Sequence, residues 1–301
     1  MRAILFSPSH PMTNPPPKIT IVTPCFNSRV TIRETLESIR DQDHKNVEHL
    51  VFDGGSKDGT LDILREFPHL KWVSEKDEGH YHAMHKGLMA AAGDVVAVLN
   101  ADDTYRPGAL RRVAEEFAKH PDWDGLFGDL LYVDGQGRKI CSHTDACFDY
   151  DVLRFWGCYI VHPTLFLKKR VYTGLGGFRY KEFKNLCDHD LLLRIGRAKY
   201  RIGHVRMLLA NYRFHQFGQS ADLRIRANSN REREILKREH GCPDGFAGKV
   251  MTNYGRFRRQ FQKLIQRGRL DLISGHYYIK KHYIGQAKFT SNIGLDKLEK
   301  S

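Results

Sequence analysis

The sequence predicts an α/β protein: an open, mostly parallel central sheet flanked by helices, followed by a basic helical extension at the C-terminus. Three observations carry this. Short apolar runs alternate with stretches of helical periodicity from residue 18 to residue 120. Several of those runs stop abruptly at glycine, asparagine or aspartate. The +13 formal charge of the 301-residue chain is concentrated in residues 249–289, where ten Lys or Arg face one acid, Asp271.

The chain starts with one Arg, a very short apolar stretch and then prolines, too little for a signal peptide. Pro15, Pro16 and Pro17 favour extended geometry, so residues 1–17 are expected to form a disordered leader. ITIVT (19–23) is a strand ending at Pro24, and Val30, Ile32, Leu36 and Ile39 mark a helix over 30–41. VEHLVFD (47–53) is a second strand, stopped by the glycine-rich turn GGSKDGT. Leu61, Ile63, Leu64 and Phe67 mark a helix closed by Pro68, and LKWVS (70–74) is a third strand. A helix over 80–92 buries Met84, Leu88 and Met89 and stops at Gly93. DVVAVLN is the fourth strand, after which Pro107 is expected as the first-turn proline of a helix reaching His120. Strands alternating with helices imply parallel strands and right-handed crossovers. WDGLFGDLLYVD (123–134) then reads as a long strand entering a hairpin at Gly135 and Gly137. LLLRI (191–195) continues a helix whose first turn holds Asp188 and Asp190, and residues 226–240 form a charged helix.

In an open parallel sheet, ligands bind beyond the carboxyl ends of the strands. Asn27, Asp53, and the adjacent pair Asp102 and Asp103 all fall there. Two neighbouring carboxylates repel unless a cation compensates, and Mg²⁺-type ions use one or two carboxylates plus substrate phosphates. An acidic turn before Pro107 is the plain alternative. The glycines at 54, 55 and 59 lack the spacing of a phosphate-binding P-loop. The six cysteines are scattered without CxxC pairs, which gives neither a zinc site nor a disulfide framework and suggests reduced thiols. No stretch approaches the roughly 18 apolar residues of a membrane span.

The motifs together resemble family 2 glycosyltransferases, the inverting nucleotide-sugar transferases of GT-A fold that build polysaccharides and lipopolysaccharides. TIVTPCFN is similar to the family's first strand, ending Pro-x-[Tyr/Phe]-Asn. VFDGGSKDGT resembles its Val-x-Asp-Gly-x-Ser-x-Asp-Gly-Thr turn. SEKDEGHYHAMHKGL resembles its Asp-x-Gly-x-Tyr-Asp-Ala-Met-Asn-Lys-Gly segment, and LNADD its DxD region. HPTLFLKKRVYTGLGGF and CDHDLLLRI resemble the acceptor-side segment and the catalytic ED motif. The likeness covers residues 18–225, leaving 226–301 as the basic extension.

The resemblance implies roles. Asp53 accepts a hydrogen bond from the base, expected to be uracil. Thr23, Pro24, Asn27, Gly79 and Lys86 belong to the nucleotide pocket. Asp102 faces ribose and metal, and Asp103 is the principal ligand of Mn²⁺ or Mg²⁺. Asp188 is the general base, with Asp190 as fallback. His215, followed by Gln219 and Ser220, is a candidate metal or diphosphate ligand. The implied reaction moves a hexosyl or N-acetylhexosaminyl group from a nucleotide-sugar to a hydroxyl of a glycan or lipid-linked acceptor, in the cytoplasm or at the inner face of the cell membrane. Three positions depart from the family: His82 for an Asp, His85 for an Asn, and Cys187 for the acid before the base. His80, His82 and His85 share a helix, but no further zinc ligand is evident, and His162 before Pro163 is a polar candidate for the site.

Two other readings compete. A sugar-nucleotide nucleotidyltransferase would show a glycine-rich first loop with a basic residue, where this chain has PCFNSRV. A nucleic-acid binder would use the basic tail with its aromatics, but the acids at the strand ends would repel phosphate, so no nucleic acid is expected. In the tail, Phe257, Phe261, Leu264 and Ile265 share a helical face while Arg258, Arg259, Lys263 and Arg267 enrich the rest. Residues 254–273 therefore either dock on an anionic membrane surface or pack their apolar face on the domain.

Overall fold

The computed structural model describes residues 16–214 and 223–267. The expected leader therefore lies almost wholly outside the described residues. The first half follows the expected alternation: β1 (Ile19–Cys25), α1 (Ile32–Arg40), β2 (Val47–Asp53), α2 (Thr60–Arg65), β3 (Lys71–Ser74), α3 (His80–Ala90) and β4 (Val95–Val98). All four residues of β4 are buried. Each buried valine there contributes about 1.5–3 kcal/mol, which holds so short a run in the centre of a sheet. A two-residue strand, β5 (Thr104–Tyr105), precedes α4 (Ala109–Lys119). Pro107 does not open α4 as expected. Gly108 takes the N-cap position in left-handed conformation, with Pro107 one residue outside.

The second half contains β6 (Gly125–Val133) and β7 (Lys139–His143), which form the expected hairpin, then α5 (Tyr150–Phe155), a 3₁₀ turn (His162–Thr164), β8 (Leu165–Lys168), α6 (Lys169–Gly174), α7 (Cys187–Arg197) and β9 (Ile202–Arg213). The strands form one sheet in the order β3-β2-β1-β4-β8-β6-β9-β5, with β7 beside β6. Pairing is parallel from β3 to β4, whereas β8 enters antiparallel between β4 and β6. The order reverses between β1 and β4, and it is at such a switch that a crevice opens. α3 lies close over this region because Gly87 has no side chain; a Cβ there would come within 2.3 Å of Val22.

Two helices follow: α8 (Leu223–Glu239) and α9 (Gly245–Arg267). Leu236 of α8, in the extension expected after residue 225, is buried in one cluster with Leu191, Leu192 and Ile195 of α7. α9 docks on α5 in a way the sequence reading did not anticipate. Arg258, Arg259 and Lys263 face inward, while the apolar residues face solvent. Arg259 is 2% exposed, bonds Asp145 at 3.2 Å and lies 4.4 Å from the centre of the Trp156 ring. Arg258 reaches Asp149 at 2.6 Å. Phe257 and Ile265 are each 68% exposed, and Phe246, Phe261 and Leu264 extend the same outer face. Of the two alternatives for this helix, packing of the apolar face on the domain is not what the structure shows. The acids Asp145 and Asp149 on the domain surface select the basic face instead. Among the described residues no helix is long and apolar enough to cross a membrane.

Candidate functional site

The loops after β1 and β2 form one wall of the crevice and are stitched together by hydrogen bonds. Asn27, at φ 48°, donates its backbone N–H to Ser56 Oγ at 2.7 Å, and its Oδ1 accepts from Lys57 N at 3.0 Å. Gly54 N donates to Cys25 O at 2.9 Å. Asp53 is the centre of the turn. Its Oδ2 accepts from Gly55 N (3.0 Å), Ser56 N (2.9 Å) and Ser74 Oγ (2.6 Å), and its Oδ1 accepts from Ser56 Oγ. Burial opposes ionisation of Asp53, but the hydrogen bonds from Ser56 and Ser74 outweigh it and hold the carboxyl below its usual range.

Three residues expected in this wall are buried: Asp53, Thr23 and Pro24. Asp53 is 1% exposed, with its oxygens bonded within its own turn, which shapes the wall. Thr23 is fully buried, and its hydroxyl meets His49 Nε2 at 2.9 Å beneath the sheet surface. Pro24 is likewise buried within β1. The exposed groups are Asn27 and Phe26, the latter 62% exposed beside Gly54. Phe26 was missed, although the Pro-x-[Tyr/Phe]-Asn pattern contained it.

Gly79 holds φ at +120°, a value suited to glycine, where the chain turns into α3. Lys86, about two turns further on, is engaged by Glu75 at 2.5 Å and Asp77 at 2.6 Å and lies over the Phe52 ring. His82 and His85 form no metal cluster. His82 stacks on Tyr180 with centroids 4.7 Å apart, and His85 Nδ1 meets the Tyr172 hydroxyl at 3.0 Å. No group of three or more potential metal ligands occurs among the described residues.

The opposite wall is the acidic end of β4. Asp102 is half-buried, whereas Asp103 is 1% exposed. Asp103 Oδ1 accepts from Arg213 N at 2.9 Å, and its carbonyl accepts from Thr35 Oγ1 at 2.8 Å. Of the two carboxylates expected at the metal, Asp102 is the more accessible and Asp103 the more buried. Asp103 Oδ2 is buried without a hydrogen-bond partner. Burial, then the charge of Asp102, push the Asp103 carboxyl well above its usual range, against the pull of Arg213. A divalent cation beside this pair would relieve both penalties. It would complete its coordination with diphosphate oxygens and water, which suits a site of two carboxylates. The residues thus fit such an ion. His215, Gln219 and Ser220 lie outside the described residues.

The floor joins these walls. Asn100 Nδ2 and His162 Nε2 are 2.8 Å apart. Burial keeps the His162 imidazole below its ordinary value, while the charges of Asp188 and Asp102 oppose that shift from two sides. His80, at the start of α3, is pushed down to about 4 by burial and by His162, with Asp188 again opposing. Tyr81 beside it is driven up by burial and then by Asp188. Asp188, half-buried in the first turn of α7, accepts from His189 N at 2.8 Å. Asn100 and His162 are thus in contact, and the charges of Asp102 and Asp188 and the His80 ring act on the same imidazole or on one another.

Asp190 is elsewhere. It is fully buried, bonded to Arg194 Nη2 at 2.7 Å and Nε at 2.9 Å, and to Arg179 Nε at 3.1 Å. Expected as the fallback base, it has no access to solvent, and its oxygens are held by two guanidinium groups.

Residues 20–172 match the model of glycosyl transferase family 2. The chain is 32% identical over 196 residues to the O-antigen biosynthesis protein RfbC of Myxococcus xanthus, a match covering 63% of this chain but only 15% of that one. It is 28% identical to a PGL/p-HBAD biosynthesis glycosyltransferase of Mycobacterium bovis, over 74% of this chain and 84% of the relative. Among solved structures, S. aureus TarS 1-349 in complex with UDP superposes with a TM-score of 0.54 at 19% identity, over 75% of this chain and 71% of that one. The mannosyltransferase PcManGT of Pyrobaculum calidifontis, in complex with GDP-Man and Mn²⁺, gives 0.55 at 20% identity, over 95% and 89%. These likenesses establish the GT-A architecture. The chain belongs to glycosyl transferase family 2 and is a glycosyltransferase.

Proposed function

We propose that this enzyme moves a sugar, with inversion, from a nucleoside-diphosphate sugar to a hydroxyl of a glycan or lipid-linked acceptor during cell-surface polysaccharide synthesis. The observation that carries the reading is the meeting of Asp102, Asn100–His162 and Asp188 at the switch point of the sheet. Phe26 and Asn27 offer an aromatic face and an amide to the base, UDP being the expected carrier. TarS with UDP and PcManGT with GDP-Man and Mn²⁺ support a nucleotide-sugar donor. Asp102, backed by Asp103, would hold Mn²⁺ or Mg²⁺. Such a cation, when bound there, would supply Lewis-acid stabilisation of the departing diphosphate. Asp188 takes the proton from the acceptor hydroxyl as that oxygen attacks the anomeric carbon, and the carbon–diphosphate bond breaks. Asn100 and His162 fix the end of β4 to the turn before β8, where the charges of Asp102 and Asp188 act on the imidazole.

The exposed face of α9 favours a peripheral position on a membrane. Phe257, Phe261, Leu264 and Ile265 lie outward, with Lys249 and Arg256 exposed on the same helix. Such a helix rests in the headgroup layer, each basic side chain adding about 1 kcal/mol near anionic lipid. This suits a lipid-linked acceptor at the cytoplasmic face.

The test is turnover of UDP-GlcNAc and GDP-mannose with an extract of lipid-linked acceptors, following the anomeric configuration of the product. Inversion in the wild type, with loss of transfer but retained nucleotide binding in Asp188→Asn, is expected. A retained configuration, or an active Asp188→Asn variant, would contradict the mechanism.

A further inference from the structure

Glu232 of α8 is 6% exposed and receives four N–H donors. Its Oε1 accepts from Lys184 N at 2.8 Å and Asn185 Nδ2 at 3.3 Å. Its Oε2 accepts from Asn185 N at 3.0 Å and Leu186 N at 2.9 Å. These residues are the turn into α7, and Asp188 follows two positions later. The N-cap residue of α7 is Leu186, which supplies no side-chain hydrogen bond to the helix. The turn thus takes its ordering from a carboxylate 46 residues away. A second tie runs parallel: Arg179 bridges Asp190 of α7 and Glu239 of α8. On its crevice side the same turn meets Tyr81, whose hydroxyl lies 3.4 Å from Asn185 O.

We propose that Glu232 is a positioning residue for Asp188, holding the 184–186 turn so that the base stands at the correct height over the crevice. The inference rests on the reading of Asp188 as the base. Hydrogen bonds to an ionised acceptor are about twice as strong as neutral ones, so this one carboxylate clamps three consecutive peptide units. Displacing a reacting group by about 1 Å costs on the order of 10²-fold in rate. The nucleotide-side residues Phe26, Asn27 and Asp102 lie on other elements and are untouched by the clamp.

The test compares Glu232→Gln, Glu232→Asp and Asp188→Asn, in the full chain. Glu232→Gln replaces one acceptor oxygen by an amide nitrogen facing N–H groups. Release of UDP from UDP-GlcNAc, or of GDP from GDP-mannose, is expected to fall about 10²-fold in kcat. Donor KM and calorimetric UDP binding should stay unchanged, with partial recovery in Glu232→Asp. Amide exchange at 184–190 should accelerate whether or not either donor turns over. In the Asp188→Asn background, Glu232→Gln should cost nothing further, since both changes act through one group. Unchanged kcat and exchange in folded Glu232→Gln would overturn the proposal. So would donor binding that falls in step with kcat, or losses that multiply in the double variant. If Glu232→Gln does not fold, Asn185→Ala removes a single donor and should give a smaller loss confined to kcat; none would count against the clamp. Full turnover in Asp188→Asn would instead refute the base itself, leaving the exchange result to judge Glu232.

Discussion

Asn100 and His162 meet through Nδ2 and Nε2 at 2.8 Å, joining the end of β4 to the turn before β8. An amide nitrogen can only donate, so His162 accepts on Nε2 and carries its proton on Nδ1. The ring is therefore neutral in this arrangement, consistent with the lowering of its pKa by burial. His162→Ala strands the Asn100 amide. The expected cost is about 1–3 kcal/mol of stability, read from a denaturant midpoint, together with a loss of turnover. Wild-type turnover in the folded variant would remove His162 from the site.

Asp188 and Asp190 give opposite predictions. Asp188→Asn should leave the thermal midpoint nearly unchanged and abolish transfer. Asp190→Asn breaks the buried pairing with Arg179 and Arg194 and should cost about 3–5 kcal/mol of stability, lowering expression before it affects the chemistry of whatever folds. Paired melting curves and turnover assays separate the two.

These two aspartates also mark the limit of what the sequence could disclose. Strand β2 was legible to the residue, and the convergence of strand ends followed from alternation alone. Which of two near-adjacent acids faces the crevice was not legible. Two helical positions lie about 200° apart around the axis, so one of Asp188 and Asp190 must turn inward, and only Arg179 and Arg194 decide which. For Asp102 and Asp103 the deciding partners, Thr35 and the Arg213 N–H, are distant in sequence. Periodicity likewise disclosed that α9 is two-faced but not which face docks. Asp145 and Asp149 settle that from another part of the chain.

The outer face of α9 can be tested apart from catalysis. Phe257→Ser with Phe261→Ser changes residues that are 68% and 50% exposed, so stability should shift by less than about 0.5 kcal/mol. Sedimentation with vesicles containing anionic lipid should weaken markedly. Arg259→Met, by contrast, strips Asp145 of its buried partner and should destabilise the fold. Undiminished vesicle binding by the double serine variant would refute membrane docking through this face.

His49 predicts a pH dependence of stability. It is fully buried and pushed down to about 3 by burial, with one ring nitrogen on Thr23 and the other without a partner. The unfolded chain binds a proton near pH 6.5, whereas the folded protein does not until about pH 3. Stability is therefore full above pH 6.5 and is lost as pH falls towards 3, by about 1.4 kcal/mol per unit. His49→Gln should flatten this slope between pH 6 and 4 in urea titrations. An unchanged slope would show that other groups control acid unfolding.

The central claim is that the end of β4 holds a nucleoside diphosphate together with a divalent cation. Calorimetric titration with UDP and with GDP, with and without Mn²⁺, in the wild type and in Asp102→Ala, tests it most directly. Binding of at least one nucleotide that strengthens with Mn²⁺, and that loses this dependence in Asp102→Ala, is the predicted result. Binding that is indifferent to Mn²⁺, or identical in the variant, would contradict it.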